Sequence, residues 1–329
     1  MILYEREISL KYPGCYPENM KNLSVGIFHD ETLGRELGKK GTESDIAMFN
    51  RKAEDHIYTF LSPVGDKLIP KSQIMPCIDA VILSITTITP EIGETILMLD
   101  AFGISTGIIV VPPYSDLAPI KTLTKNTSVA SYQIMERHPQ TILDALHSIT
   151  PQRDASIATM MTIDHAFNVR GIGEVFLGFV KQGTVKKHES LLLLPANKDV
   201  IIRSIQMQDK DVDEAEAGSR VGCAIKGASV EEMPRGSLFC PQGTAKFGTT
   251  IPISFKPNTF YTEGIKEGLF HVTVGMQTVP VTVKITEPTS LVLEAEKPMV
   301  YTQDDTFLLL NLNARKLHLI GHGKAKKPL

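Results

Sequence analysis

The sequence predicts an α/β domain followed by two all-β barrels. Strand and helix patterns alternate over residues 1–150, short apolar runs broken by glycine turns fill 156–240, and strongly alternating runs return over 241–329. In the first segment Leu23–Phe28, Ile57–Leu61, Ala80–Ile85 and Gly107–Val111 are apolar and rich in β-branched residues, as parallel strands covered on both faces are. Between the last two, Ile92, Thr95, Ile96, Leu99 and Phe102 recur at helical spacing over Pro90–Phe102, with the proline in the first turn. A second helix is expected near Pro139–Ile149. This alternation predicts helices packed on both faces of a mostly parallel sheet.

Ser148–Ala155 reads as a linker, because Pro151 follows a helical pattern and charged residues follow it. The runs over 163–195 and 203–227 carry Gly171, Gly173, Gly178, Gly183, Gly218 and Gly222, with Gly236 just beyond, the punctuation of a small antiparallel barrel. In the third segment Phe270–Ile285 alternates about a turn near Gly275–Gln277, and Leu291–Tyr301 and Asp305–Gly323 hold further strands.

At 329 residues the chain is long enough for two or three domains. A net charge of −3 argues against a strongly basic nucleic-acid binder and leaves room for a local patch. Cys15, Cys77, Cys223 and Cys240 have no metal-ligand spacing, so buried or reduced thiols in a cytoplasmic protein are expected. Met1–Leu10 carries Glu5, Arg6 and Glu7 where a signal peptide needs an apolar core, and no apolar run approaches the ~20 residues of a membrane span.

The barrel segment, from Ile163 through the Gly171-Ile172-Gly173 turn to Gly236, resembles the second domain of translational GTPases: elongation factor Tu and, more closely, the selenocysteine-specific elongation factor SelB. Over 296–323 the third segment is similar to the family's closing run, with Thr306 at the family's arginine and the glycine run broken as Gly321-His322-Gly323. Leu37–Asn50 resembles a string in an archaeal SelB-like branch. The resemblance implies the three-domain elongation factor Tu architecture, a P-loop-GTPase-like first domain, GTP and Mg²⁺ as ligands, and aminoacyl-tRNA and the ribosome as partners of a monomer.

The nucleotide motifs of that family are degraded here. A P-loop needs G-x-x-x-x-G-K-[S/T], whose backbone N–H groups and lysine face the phosphates. Counted from Gly26, Glu31 stands at the second glycine, Thr32 at the lysine and Leu33 at the Mg²⁺ ligand. A like charge about 4 Å from a phosphate costs ~1–4 kcal/mol. A later run, Gly34–Thr42, has glycine, lysine and threonine in the wrong order. At the D-x-x-G motif the chain has Ser62, Pro63, Val64 and Gly65, with Asp66 where the family has its water-positioning histidine. Hydrolysis needs those Mg²⁺ anchors and an oriented water. The guanine motif N-K-x-D reads Pro113, Tyr114, Ser115 and Asp116. Asp116 is either a base acceptor or a turn or helix cap, and Tyr114 can stack on a base. Too few residues separate Asp116 from Ser128 for the usual helix and linker, and Ser128–Ser131 carries no base-side motif. The resemblance thus implies Gly26, Thr32, Gly65 and Asp116 as nucleotide positions, and the substitutions argue against GTP and Mg²⁺. No catalytic residue and no metal ligand is assigned.

For the aminoacyl-tRNA 3′ end, the resemblance implies a slot of Asp164, Phe167 and the Gly171–Gly173 turn, with Gln208 and Arg220 facing the amino acid. His165 stands beside it. Phe167 supplies an apolar or stacking face, Asp164 an acceptor for a ribose hydroxyl. The plainer reading makes Phe167 core and the glycines turn residues of any tight barrel. Lys297, Arg315, Lys316, Lys324, Lys326 and Lys327 suit phosphate contacts or a solvated tail. Three readings follow: an elongation-factor-like protein that binds aminoacyl-tRNA through its barrel with nucleotide binding weak or lost, a working GTPase with atypical motifs, or a non-enzymatic scaffold for a translation or tRNA-processing partner.

Overall fold

A computed structural model describes residues 20–53, 55–151 and 153–327. Met1–Leu10 and Cys15 lie outside the described residues. The first segment runs β1 (Lys21–Phe28), α1 (Leu33–Leu37), β2 (Lys39–Glu43), β3 (Ile46–Lys52), β4 (His56–Pro63), α2 (Leu68–Ile74), β5 (Ala80–Ser84), α3 (Pro90–Phe102), β6 (Gly107–Val111), α4 (Ala118–Thr124), β7 (Gln133–Glu136) and α5 (Pro139–His147). Its seven strands order as β2-β3-β4-β1-β5-β6-β7, with β1, β5, β6 and β7 pairing in parallel and β2 with β3 antiparallel. β4 and β5 are buried along their whole length, as strands covered on both faces are. The Thr89 hydroxyl accepts from the Ile92 N–H at the start of α3, and Gly103 ends it at φ 67°.

Two sequence expectations change. Gly26 lies inside β1, paired with Val81, and a Cβ there would come within 2.8 Å of Ile78. It is therefore a packing glycine of a buried strand and not part of a loop. The interval after Asp116 does hold a helix, the two-turn α4, which buries Ile120 and Thr124.

The second segment contains β8 (Met160–Val169), β9 (Gly173–Gln182), β10 (Thr184–Lys186), β11 (Ser190–Leu194), β12 (Lys198–Met207), β13 (Lys210–Val212), β14 (Glu214–Glu216), β15 (Arg220–Lys226) and β16 (Leu238–Cys240). Six strands, in the order β11-β16-β8-β9-β15-β12, close through β11–β12 pairing. Phe176 and Phe239 meet at 4.7 Å between ring centroids inside this barrel. A Cβ on Gly178 would stand 2.1 Å from the Thr162 carbonyl oxygen, so the crossing of β8 and β9 admits only glycine there. Cys223 and Cys240 are buried in this barrel, and burial pushes the Cys223 thiol up. Arg153, at the end of the expected linker, donates to the carbonyls of Asn22 and Ala217.

The third segment is a second closed barrel of β17 (Lys246–Pro257), β18 (Gly268–Val274), β19 (Gln277–Glu287), β20 (Ser290–Tyr301), β21 (Phe307–Leu310) and β22 (Leu319–Ala325), in the order β17-β20-β19-β18-β21-β22. The two-residue turn Gly275-Met276 joins β18 to β19. Lys324 belongs to β22, pairing with Ser254, so it is not tail.

The chain divides into two compact units. One contains the α/β layers and the C-terminal barrel, and the other contains, among the described residues, 153–242 together with 20–22, 53 and 55–57. Ile57 packs in the core of the second-segment barrel, with Met20 against it. Within the first unit, Glu94 of α3 is 6% exposed and accepts from the N–H groups of His318 (2.5 Å) and Leu319 (2.8 Å). The Ser72 and Thr273 hydroxyls meet at 2.9 Å, and Gln73 donates to the Thr278 hydroxyl at 3.2 Å. No helix of the described residues is long and apolar enough to cross a membrane.

Candidate functional site

Parallel strands carry their ligand sites at their carboxyl ends. Here that edge is built from the loop His29–Thr32 after β1, the turn Val64–Asp66 after β4, and Arg137 after β7. Asp30 Oδ1 accepts from the N–H groups of Thr32 and Leu33, both at 3.1 Å, and from the Thr32 hydroxyl at 2.8 Å. Arg137 donates to Asp30 Oδ2 at 2.8 Å, to both carboxylate oxygens of Glu36, and to the Thr32 hydroxyl at 3.0 Å. The Gly65 N–H donates to the Glu31 carboxylate. Asp66 pairs with Lys71 at 2.8 Å and with His29 Nδ1 at 3.0 Å, and His29 Nε2 reaches the Thr95 hydroxyl at 2.9 Å. His29 (φ 63°) and Asp66 (φ 52°) are both left-handed, a conformation uncommon outside glycine, and their side chains meet each other.

Of the four expected nucleotide positions, Thr32 and Gly65 belong to this network, Gly26 is inside β1, and Asp116 stands apart, its carboxylate accepting from the Ala118 N–H as a helix-entry turn does. Tyr114 is fully exposed at φ 60°.

On the barrel of Gln152–Gln242 the expected slot resolves into two places. Asp164 sits at the β8 bulge, 5% exposed, with Arg220 Nη2 at 3.5 Å and Arg235 Nε at 3.6 Å. Arg220 also lies over the Phe179 ring, 5.5 Å from its centroid. Asp164 is thus an internal counter-ion and does not face solvent as an acceptor for a ligand hydroxyl. Arg220 is held with it. Phe167 lies further along β8, opposite Val175. Ala166 packs on the core, so strand alternation turns Phe167 to the outer face, where its ring stands 5.8 Å from that of His165. The reading of Phe167 as core does not hold.

Gly171 and Gly173, at φ 83° and 100°, shape the turn beyond, with open space where side chains would be. Arg203 donates to the Ile172 carbonyl at 3.0 Å. Beside this turn opens a groove of about 350 Å³, with Ile172, Lys187, Ser204, Gln206, Asp211 and Asp213 in its wall and Ile205 and Val212 at its base. Gln208 and Asp209, both left-handed, form the two-residue turn that closes the β12–β13 side. Sequence reasoning missed the wall residues. The signal was present in the alternation of Ser204 to Val212 about Gln208-Asp209, a hairpin with one polar face.

The family model for elongation factor Tu domain 2 matches residues 173–240, which begins after Asp164, Phe167 and Gly171. The uncharacterized protein MJ0325 of Methanocaldococcus jannaschii is 37% identical over 309 residues, which is 93% of this chain and 100% of the relative. The selenocysteine-specific elongation factor of the same organism is 26% identical over 354 residues, 90% of this chain and 74% of its own length. The crystal structure of translation elongation factor SelB from Methanococcus maripaludis, in its apo form, matches with a TM-score of 0.76 at 23% identity, covering 94% of this chain and 80% of that one. The chain belongs to the translational GTPase superfamily. It is a SelB-like member, an α/β layer followed by two six-stranded barrels in the elongation factor Tu architecture.

Relative to the P-loop that the superfamily resemblance implies, this member's β1–α1 loop is short and closed on itself by Asp30. Burial works to push the Asp30 carboxyl up, but Arg137, Thr32 and the Leu33 N–H together hold it below its ordinary value. A depressed carboxylate stabilises the fold above its unfolded pKa, and that stability is lost as pH falls through the lower folded value. Replacing Arg137 with alanine is expected to move the onset of acid unfolding upward, toward the ordinary carboxylate range near pH ~4. Ellipticity followed down a pH series for the two proteins checks this. An unchanged onset would mean that Arg137 does not hold the loop.

Proposed function

We propose that this SelB-like chain binds the 3′ end of an aminoacyl-tRNA on the outer face of its second barrel and does so without a nucleotide. One contrast between two places in the molecule carries this reading. The barrel carries an open groove at the Ile172 turn and an outward aromatic pair on β8, whereas the loop that would face phosphates is occupied by the chain's own carboxylates.

An RNA end needs a stacking surface, acceptors for ribose hydroxyls and a turn that lets backbone approach. Phe167 and His165 supply the first, Asp211 and Asp213 the second, and Gly171–Gly173 the third. Asp164 and Arg220 pair with each other inside the same barrel, and Gln208 forms the β12–β13 turn next to Asp211. The residues at the β1–α1 loop do not fit a triphosphate with Mg²⁺. His29–Thr32 carries no lysine, the Thr32 and Leu33 N–H groups already have an acceptor, and Ser62, at the Mg²⁺ aspartate, is buried within β4. No hydrolytic step is drawn through that loop. The similarity to two SelB elongation factors supports a role in translation, and a ribosomal encounter is part of the same reading.

The test is protection of the aminoacyl ester from hydrolysis at micromolar protein, with GTP absent. Protection is expected, and Phe167→Ala is expected to weaken it by roughly tenfold, the loss of one base–aromatic stack. Failure to protect any aminoacyl-tRNA overturns the RNA half of the proposal. A calorimetric titration with GTP and Mg²⁺ addresses the other half, where a flat trace is expected and Mg²⁺-dependent heat overturns it.

A further inference from the structure

The Val64–Asp66 turn is a single tight turn whose Gly65 is left-handed and solvent-exposed. Its Gly65 N–H points at the β1–α1 loop, 34 residues earlier in the chain, and the group it meets is the carboxylate of Glu31. A backbone N–H directed at a carboxylate is a charge-assisted bond, the kind an oxyanion ligand would make. The neighbouring N–H groups of Thr32 and Leu33 are likewise taken by Asp30. The surrounding basic groups also pair within this edge: Arg137 with Asp30 and Glu36, and Lys71 and His29 with Asp66. Four carboxylates therefore face two permanent cations and one histidine. Such a set repels an incoming phosphate.

We infer that Glu31 is a built-in anion that holds the Val64–Asp66 turn to the β1–α1 loop, in the seat an external oxyanion would otherwise take. The edge of the sheet then keeps one arrangement without ligand. A tethered carboxylate acts at an effective concentration in the millimolar range, so it outcompetes free anions present at lower levels. The inference deepens the nucleotide half of the proposed function by naming what fills the seat.

Hydrogen exchange at the Gly65 amide tests it, in the full chain with no RNA and no nucleotide, so the result is independent of whether tRNA binds. In the parent protein, exchange is expected to be the same in inorganic phosphate and in chloride of equal ionic strength. Glu31→Ala is expected to speed Gly65 exchange on the order of tenfold. Phosphate should then slow it again, and chloride should not. Glu31→Gln keeps an acceptor oxygen without the charge and is expected to fall between. Unchanged protection of the Ile82 amide, deep in β5, reports that each variant is folded. Parental exchange in Glu31→Ala, an acceleration that phosphate does not reverse, or a phosphate response of the parent protein would each overturn the inference.

Discussion

Replacing Asp164 with alanine is expected to destabilise the second-segment barrel by about 3–5 kcal/mol, the cost of removing one partner from a buried ion pair. Arg220 and Arg235 approach this carboxylate from β15 and from the loop before β16, and Asp164 is 5% exposed. Without it, the largely buried Arg220 guanidinium loses a counter-ion, and a buried charge without its partner is costly. Urea unfolding gives the measurement. A loss under about 1 kcal/mol, the worth of a surface pair, would show that Asp164 is available to a ligand after all. The same experiment thus distinguishes a structural acid from a binding acid at a position where family resemblance alone implies the second.

Glu94→Ala is the other large effect, expected at about 2–5 kcal/mol. It leaves the N–H groups of His318 and Leu319 without their acceptor, and each unsatisfied buried donor costs roughly 1–3 kcal/mol. It also loosens the join between α3 and the C-terminal barrel, since Ser72–Thr273 and Gln73–Thr278 are the other polar ties described there. Calorimetry is expected to show a lower midpoint and a broadened or split transition. Glu94→Gln, which retains one acceptor oxygen, should recover part of the loss. An alanine variant that melts as the parent does would mean that these N–H groups find water.

What the sequence revealed depended on whether local pattern and tertiary environment agreed. α3 and β6 were legible to the residue: a proline start, helical spacing and a glycine stop for one, and a fully buried β-branched run for the other. β2 was not, because Lys39–Glu43 is an edge strand exposed along its whole length and has no apolar alternation to read. α4 was missed because the interval from Asp116 to Ser128 is too short for the usual helix and linker, yet it holds a two-turn helix with Pro119 in its first turn and Ile120 and Thr124 buried. The sites failed differently. Nothing local to Asp164 announces arginines 56 and 71 residues later, and nothing in α3 marks Glu94 as an acceptor for a strand 224 residues away. Gly26 fits the first position of the loop motif although it lies inside the expected strand Leu23–Phe28, and β1 does end at Phe28. Phe167 required the β8 bulge, which sets which side of the strand it takes.

The placement of Ile57 has a consequence for how the molecule is made. This side chain is 3% exposed in a barrel core whose other buried members begin at Met161. On a growing polypeptide it therefore emerges long before its neighbours exist. The α/β layers are in the same position, since their unit closes only with β17–β22. The barrel unit has all its strands once β16 is made, whereas the unit of the α/β layers is complete only with β17–β22. In both units, then, strands made early find their partners only after a long stretch of intervening chain, and such long-range pairing is slow to form.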